Sequence, residues 1–159
     1  MGMQYYAPFL VICLMRKAVV ITLMGAVCGL MASCHVETQP HGDLYGFWHL
    51  EAVDTVGGAS CDMGERRIFW SFENKLVECA DRDGGSLPVV MRFERDGDSL
   101  FFDKPFFSDR PNGDPPVEDV TSMQYYGLQS LRPRLCVEHL SSDRMTLSQQ
   151  RIRLSFRKL

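Results

Sequence analysis

The side chains best suited to chemistry are scattered along the chain. The four histidines are His35, His41, His49 and His139. No two stand at the spacing that presents a pair of ligands to one metal ion, so no metal site is expected. The serines from Ser86 to Ser148 include none in a Gly-x-Ser-x-Gly elbow. Glu51, Asp54, Glu73, Glu78 and Glu94 mostly take solvent-facing positions, and nothing singles out two of them as an acid/base pair. Asp83-Gly84-Gly85 reads as a turn rather than a phosphate-binding loop. No catalytic residue is nominated, no cofactor is implied, and the chain is read as a protein without enzymatic activity.

The six cysteines are more informative. Cys13, Cys28 and Cys34 lie early; Cys61, Cys79 and Cys136 lie in the body of the chain. No Cys-x-x-Cys occurs, which removes the usual zinc and thioredoxin-type patterns. An odd count leaves one thiol unpaired in any disulfide scheme, and Cys61–Cys79 is the candidate pair. Cys34 closes a distinctive junction. Arg16 and Lys17 precede an uncharged run from Ala18 to Ala32, and Ser33 separates that run from Cys34. A positive start, a short apolar middle and small residues before a break form an export signal.

Leu30-Met31-Ala32-Ser33-Cys34 resembles the lipobox of bacterial lipoproteins, with Met31 where leucine is commonest. The resemblance implies cleavage before Cys34 and a lipid on that residue. The alternative, a single membrane anchor, needs about 20 apolar residues, and the run from Ala18 to Ala32 has 15. Residues 1–33 are therefore taken as the signal peptide, with 1–14 a candidate misassigned extension before the natural start at Met15. His35 rather than aspartate follows Cys34. By resemblance to the sorting rule of enteric bacteria, that implies the outer membrane, on either its periplasmic or its cell-surface face.

Removing residues 1–33 leaves 126 residues, one domain's worth of chain with room for a real core. The removed part carries two basic residues and no acid, so the formal charge moves from −3 to −5. That sign argues against nucleic acid or an anionic membrane surface as partner, leaving the lipid as the membrane contact. Residues 34–43 are polar, with Pro40 and Gly42, and read as a tether.

From Leu44 to Leu159 the texture is that of short alternating strands. Trp48, Leu50 and Ala52 share one face of Gly46–Val53, with His49 and Glu51 on the other. Arg66–Phe72, Leu76–Cys79, Val89–Arg95, Ser99–Asp103, Leu135–Leu140, Met145–Gln149 and Ile152–Phe156 repeat the pattern. Period-two alternation with tight turns, such as Asp96-Gly97-Asp98, means antiparallel sheet with one buried face. Eight such segments suggest a closed barrel or a sandwich. Ser108–Pro116 interrupts the rhythm because its prolines cannot donate to a ladder. Val117–Leu128 after it reads as a helical turn or an irregular strand, and this long excursion as either a lid over a barrel mouth or a solvated loop.

Gly46-Phe47-Trp48 resembles the Gly-x-Trp signature of the lipocalins. Trp70-Ser71-Phe72 in the second strand and the Phe156-Arg157-Lys158 ending extend the likeness to the lipocalin-like lipoproteins of gut Bacteroidetes. The resemblance implies an all-β fold: an antiparallel eight-stranded up-and-down barrel over residues 44–159 with one long loop. It implies that Trp48 packs at the closed end and that a basic residue of the last strand lies across it. Arg157 is the candidate, although parity sets it on the face opposite Leu154 and Phe156 unless the strand is bulged.

Two uses of such a barrel follow. The first is a carrier for a small hydrophobic ligand, its pocket lined by Ile68, Trp70, Met91, Phe93, Phe102 and Leu147, with Met123, Tyr125 or Tyr126 at the mouth. The second is a protein-interaction module, an enzyme inhibitor or envelope scaffold, with a filled interior. It would act through Ser108–Pro116 and the aromatics of Phe101-Phe102 and Phe106-Phe107. The carrier requires an interior cavity of about 300 Å³ or more with an open mouth.

Overall fold

The computed structural model describes residues 42–159, so Cys34, the signal segment and tether residues 34–41 lie outside the described residues. After a 3-10 turn at Gly42–Leu44, nine strands follow: β1 (Gly46–Thr55), β2 (Ser60–Asp62), β3 (Ile68–Glu73), β4 (Leu76–Asp81), β5 (Val89–Asp96), β6 (Ser99–Phe107), β7 (Arg134–Leu140), β8 (Arg144–Gln149) and β9 (Ile152–Lys158). From β3 to β9 each strand pairs antiparallel with the next. β1 pairs both β3 and β9, which closes the sheet into an eight-stranded up-and-down barrel. Closure gives every wall strand a neighbour on both sides, with β6 meeting β7 only over Ser99–Phe101.

The eight alternating segments become the eight wall strands. β2 is additional: three exposed residues that pair with Ala52–Asp54 of β1. Ser60-Cys61-Asp62 buries nothing, so no alternation marks it. The strands meet through short turns whose tips need positive φ, met by Asn74 at 54° and Gly97 at 56°. β1 carries a bulge between Leu50 and Ala52 where it pairs with β9, which adds the local twist that closure requires.

No disulfide forms. Cys61 is exposed on β2, Cys79 is buried on β4 beside Trp70, and both are free, as is exposed Cys136. The candidate pairing fails because β2 lies against the far half of β1, while Cys79 shares the inward parity of Val77 and stands in the core. His49 does fall on the outer face of β1, yet it is only 7% exposed. Its ring lies 5.0 Å from that of Phe69, and Nε2 is 2.8 Å from the Arg66 carbonyl.

The connection 108–133 between β6 and β7 is the long excursion. Arg110–Asn112 forms a 3-10 turn, and Pro116 bridges to Phe106. Helix α1 (Val120–Gln124) follows, with the Asp119 carboxylate accepting from Thr121 N, an ordinary side-chain cap. The segment 117–128 thus resolves to a helical turn.

Candidate functional site

The barrel has two ends, set by strand register. The starts of β1 and the β3–β4 hairpin mark one; the end of β4 and the start of β3 mark the other. At the first end, Leu44 of the 3-10 turn is fully buried and its carbonyl accepts from Trp48 Nε1 at 2.8 Å. Lys158 Nζ sits 4.9 Å from the Trp48 ring centroid and donates to the Asp43 carbonyl. Gly46, at φ +129°, makes room for this: a Cβ there would fall 2.5 Å from Lys158 Cε. The residue across Trp48 is therefore Lys158, not Arg157. β9 is unbulged from Ile152 to Arg157 against β8, so Leu154, Phe156 and Lys158 share the inward side while Arg157 points out. There Arg157 Nε donates to Glu51 at 2.6 Å, and Arg144 donates to the other Glu51 oxygen at 2.6 Å. The Arg157 hydrogen bond is the main reason the Glu51 carboxyl lies below the usual range.

The proposed pocket residues do meet inside the barrel, packed against one another. Ile68, Trp70, Met91 and Leu147 are fully buried, and Phe93 and Phe102 nearly so. The Trp70 ring stands 5.1 Å from Phe156, 6.1 Å from Phe102 and 6.3 Å from Phe72, and Phe72 meets Phe93 edge-on at 5.2 Å. These separations are those of aromatic rings in direct contact. One polar atom is left over: among the described residues, buried Trp70 Nε1 finds no hydrogen-bond partner. The Cys79 thiol is pushed well up by burial, with the nearby Glu78 charge adding to the shift, which disfavours the thiolate.

At the second end the excursion dips back into the barrel and closes the mouth. Met123 and Tyr126 are fully buried, Leu128 and Val117 almost so. Tyr126 donates to the Leu87 carbonyl at 2.9 Å, and its burial pushes the phenol up to about 12. Tyr125 sits at the rim rather than in a pocket. Its hydroxyl donates to Asp81 at 2.5 Å and accepts from Arg66 at 2.7 Å. Asp81 also accepts from the Asp83 and Gly85 amides. Burial works against the Asp81 charge, but these hydrogen bonds outweigh it and hold its carboxyl below the usual range. The same bond to Asp81 is the chief reason the Tyr125 phenol is raised. Gly85 is needed beneath this latch, since a Cβ there would fall 2.3 Å from the Tyr125 hydroxyl oxygen. Asp81 and Arg66 join Tyr125 here without a motif to mark them; the parity Val77, Cys79, Asp81 is the signal in the sequence for an inward carboxylate.

Open space lies along the wall. One groove of about 320 Å³ follows β5 and β6 between Lys75 and Lys104. A second of about 510 Å³ runs from Lys104 and Phe106 to Leu131 and Arg132. A third of about 480 Å³ crosses β3–β6 over Leu76, Val90 and Phe106 to Asp114. Among the described residues, no three His, Cys, Asp or Glu side chains gather as a metal site would require.

Comparison with known proteins bears on the fold. No curated protein matches the chain. A lipocalin-like protein from Bacteroides uniformis superposes with a TM-score of 0.55 at 22% identity, over 74% of this chain and 100% of its own. An uncharacterized protein from Bacteroides eggerthii does so with a TM-score of 0.50 at 18% identity, over 72% of this chain and 98% of its own. Both likenesses are of fold. The model of the lipocalin-like domain family matches residues 29–159, most of the chain, and with the closed barrel and the Gly46–Trp48–Lys158 end it leads to one conclusion: the chain belongs to the lipocalin-like domain family.

Proposed function

We propose that the protein is an exported, lipid-anchored binding protein that performs no reaction and works through the outside of its barrel, engaging another protein. The observation that carries this reading is the occupied interior. Trp70, Phe72, Phe93, Phe102 and Phe156 fill the space a carrier would keep for its ligand, and Met123 and Tyr126 stop the mouth. An eight-stranded barrel has room for its own side chains or for one small ligand. The export half rests on Arg16-Lys17, the apolar run and Leu30–Cys34. Cys34→Ser should release the protein from membranes; continued membrane association would mean that the apolar run is a span.

The unpartnered Trp70 Nε1 favours a second reading, a carrier whose interior opens when the excursion lifts and whose small hydrophobic ligand supplies the missing acceptor. Mass spectrometry of gently purified protein, with thermal melts in the presence of fatty acids, bile acids and porphyrins, separates the two. The outer-surface reading expects no retained small molecule and an unchanged melting temperature. A ligand present at a hundredfold excess over its Kd would add about 2.7 kcal/mol, and a stabilisation of that size would overturn it.

A further inference from the structure

We infer that the groove across β3–β6 takes an extended segment of a partner protein in which apolar side chains alternate with lysine or arginine. The inference rests on the outer-surface reading and names its partner's chemistry. The groove encloses about 480 Å³. Its floor is apolar: Val90 pairs with Phe106 across β5–β6, and Leu76 on β4 is 43% exposed. Carboxylates straddle Leu76. Glu73 faces it across the β3–β4 pair, and Glu78 lies two residues further along β4 on the same side, about 5 and 7 Å away by strand geometry. Asp114 stands on the far wall, partly answered by Arg110 at 3.4 Å.

What marks this groove is its charge balance: Glu73, Glu78 and Asp114 line it against one cation, Arg110. Some outward carboxylates elsewhere pair with arginine, Glu51 with Arg144 and Arg157 and Glu138 with Arg153, and others, Glu94 and Asp103, share their groove with Lys75, Arg92 and Lys104. Among the described residues neither Glu73 nor Glu78 takes part in an ion pair. Arg92 stands opposite Leu76 on β5, but it also pairs in register with Asp103 and lines the neighbouring groove. An exposed leucine between two unneutralised carboxylates attracts an apolar side chain flanked by cations. A second copy of this chain is a poor occupant, because the protein is acidic overall. An extended chain also suits the site, since the strand rows beneath it repeat with the same period of two.

The test uses the purified full chain and two synthetic hexapeptides, one alternating leucine with lysine and one alternating leucine with glutamate. Amide chemical shifts locate binding, and fluorescence anisotropy measures it. The leucine–lysine peptide should shift Leu76, Val90 and Phe106, and bind more weakly as salt rises. A Glu73→Lys/Glu78→Lys variant should weaken it by about tenfold or more and should bind the leucine–glutamate peptide instead. Leu76→Asp adds a carboxylate but removes the apolar seat, so it should weaken the leucine–lysine peptide as well. Equal binding to the charge-reversed variant, tighter binding to Leu76→Asp, shifts mapping elsewhere, or no binding up to about 1 mM would each overturn the inference. Uptake of a fatty acid with shifts centred on Trp70 and Phe102 would instead sink the outer-surface reading, whatever the peptides do.

Discussion

Gly127→Ala tests whether the excursion is truly seated in the barrel mouth. Gly127 has φ +87°, and a Cβ there would fall 2.6 Å from Leu154 Cδ2, on a side chain that is wholly buried in the interior. Gly113, in the same excursion, has φ +80° but nothing within 4 Å of the place its Cβ would take. Both substitutions put a side chain on left-handed backbone, at about 1–2 kcal/mol. Both gain about 0.4–1 kcal/mol from a stiffer unfolded chain. Gly127→Ala alone must also push against Leu154, and forcing an extra carbon into a packed core costs about 1–3 kcal/mol. The shared terms cancel, so the two variants should differ by about 1–3 kcal/mol. In urea denaturation, with an m-value of about 1.5–2 kcal/mol/M, that is a gap in midpoint of roughly 0.5–2 M. Equal midpoints would mean that residues 117–128 do not rest on Leu154, and the filled-and-stoppered account of the barrel would fall with them.

The other predictions concern the two ends and the buried thiol. Trp48→Ala should cost about 3–5 kcal/mol in the same assay, while Arg157→Met should cost under about 1 kcal/mol as a loss of a surface pair; the reverse order would return Arg157 to the closed end. Asp81, held below its ordinary value of 3.8, contributes stability that is fully present above that value and is lost as pH falls through the lowered folded one. The stability gap between the wild type and Asp81→Asn should therefore be constant near neutral pH and narrow as pH falls below about 5 and on through the lowered folded value, and a gap independent of pH would show that the charge on Asp81 does not hold Tyr125. Maleimide labelling read by peptide mapping should reach exposed Cys61 and Cys136 in the native protein and Cys79 only after unfolding; prompt labelling of Cys79 would mean the β4 wall is open.

Much of the wall was legible because a half-buried strand writes its burial into every second residue. Met145, Leu147, Leu154 and Phe156 alternate in sequence and line the interior in the structure. β2 left no trace because Ser60-Cys61-Asp62 buries nothing and is held by backbone pairing to Ala52–Asp54. The excursion was half legible. Its prolines announce a break in the ladder, but Tyr126 and Gly127 return to the core against residues far away in sequence, Leu87 and Leu154 respectively. No local period can carry that information. Leu76 was ambiguous for a related reason: Leu76 and Val77 are both apolar, and only the register of β4 against β3 and β5 sends Val77 inward and Leu76 out.

The basic residue at the closed end shows where a motif and a period conflict and which should win. Position within the ending Phe156-Arg157-Lys158 favoured Arg157, because an arginine near the strand's end suits a ring face. Parity with Phe156 favoured Lys158. A one-residue shift turns a side chain to the other face of the sheet, and a bulge to correct it would have to break the ladder with β8, which is continuous from Met145–Phe156 to Gln149–Ile152. The ladder prevails. The same logic separates packing from pocket. Parity can say that Ile68, Trp70, Met91, Phe93 and Leu147 face inward, but whether they line space or consume it depends on ring orientation across the barrel. Here Trp70 turns its ring against Phe156, Phe102 and Phe72 and leaves its own N–H without a partner. An unpaired buried donor costs about 1–3 kcal/mol, which the aromatic packing around Trp70 has to offset.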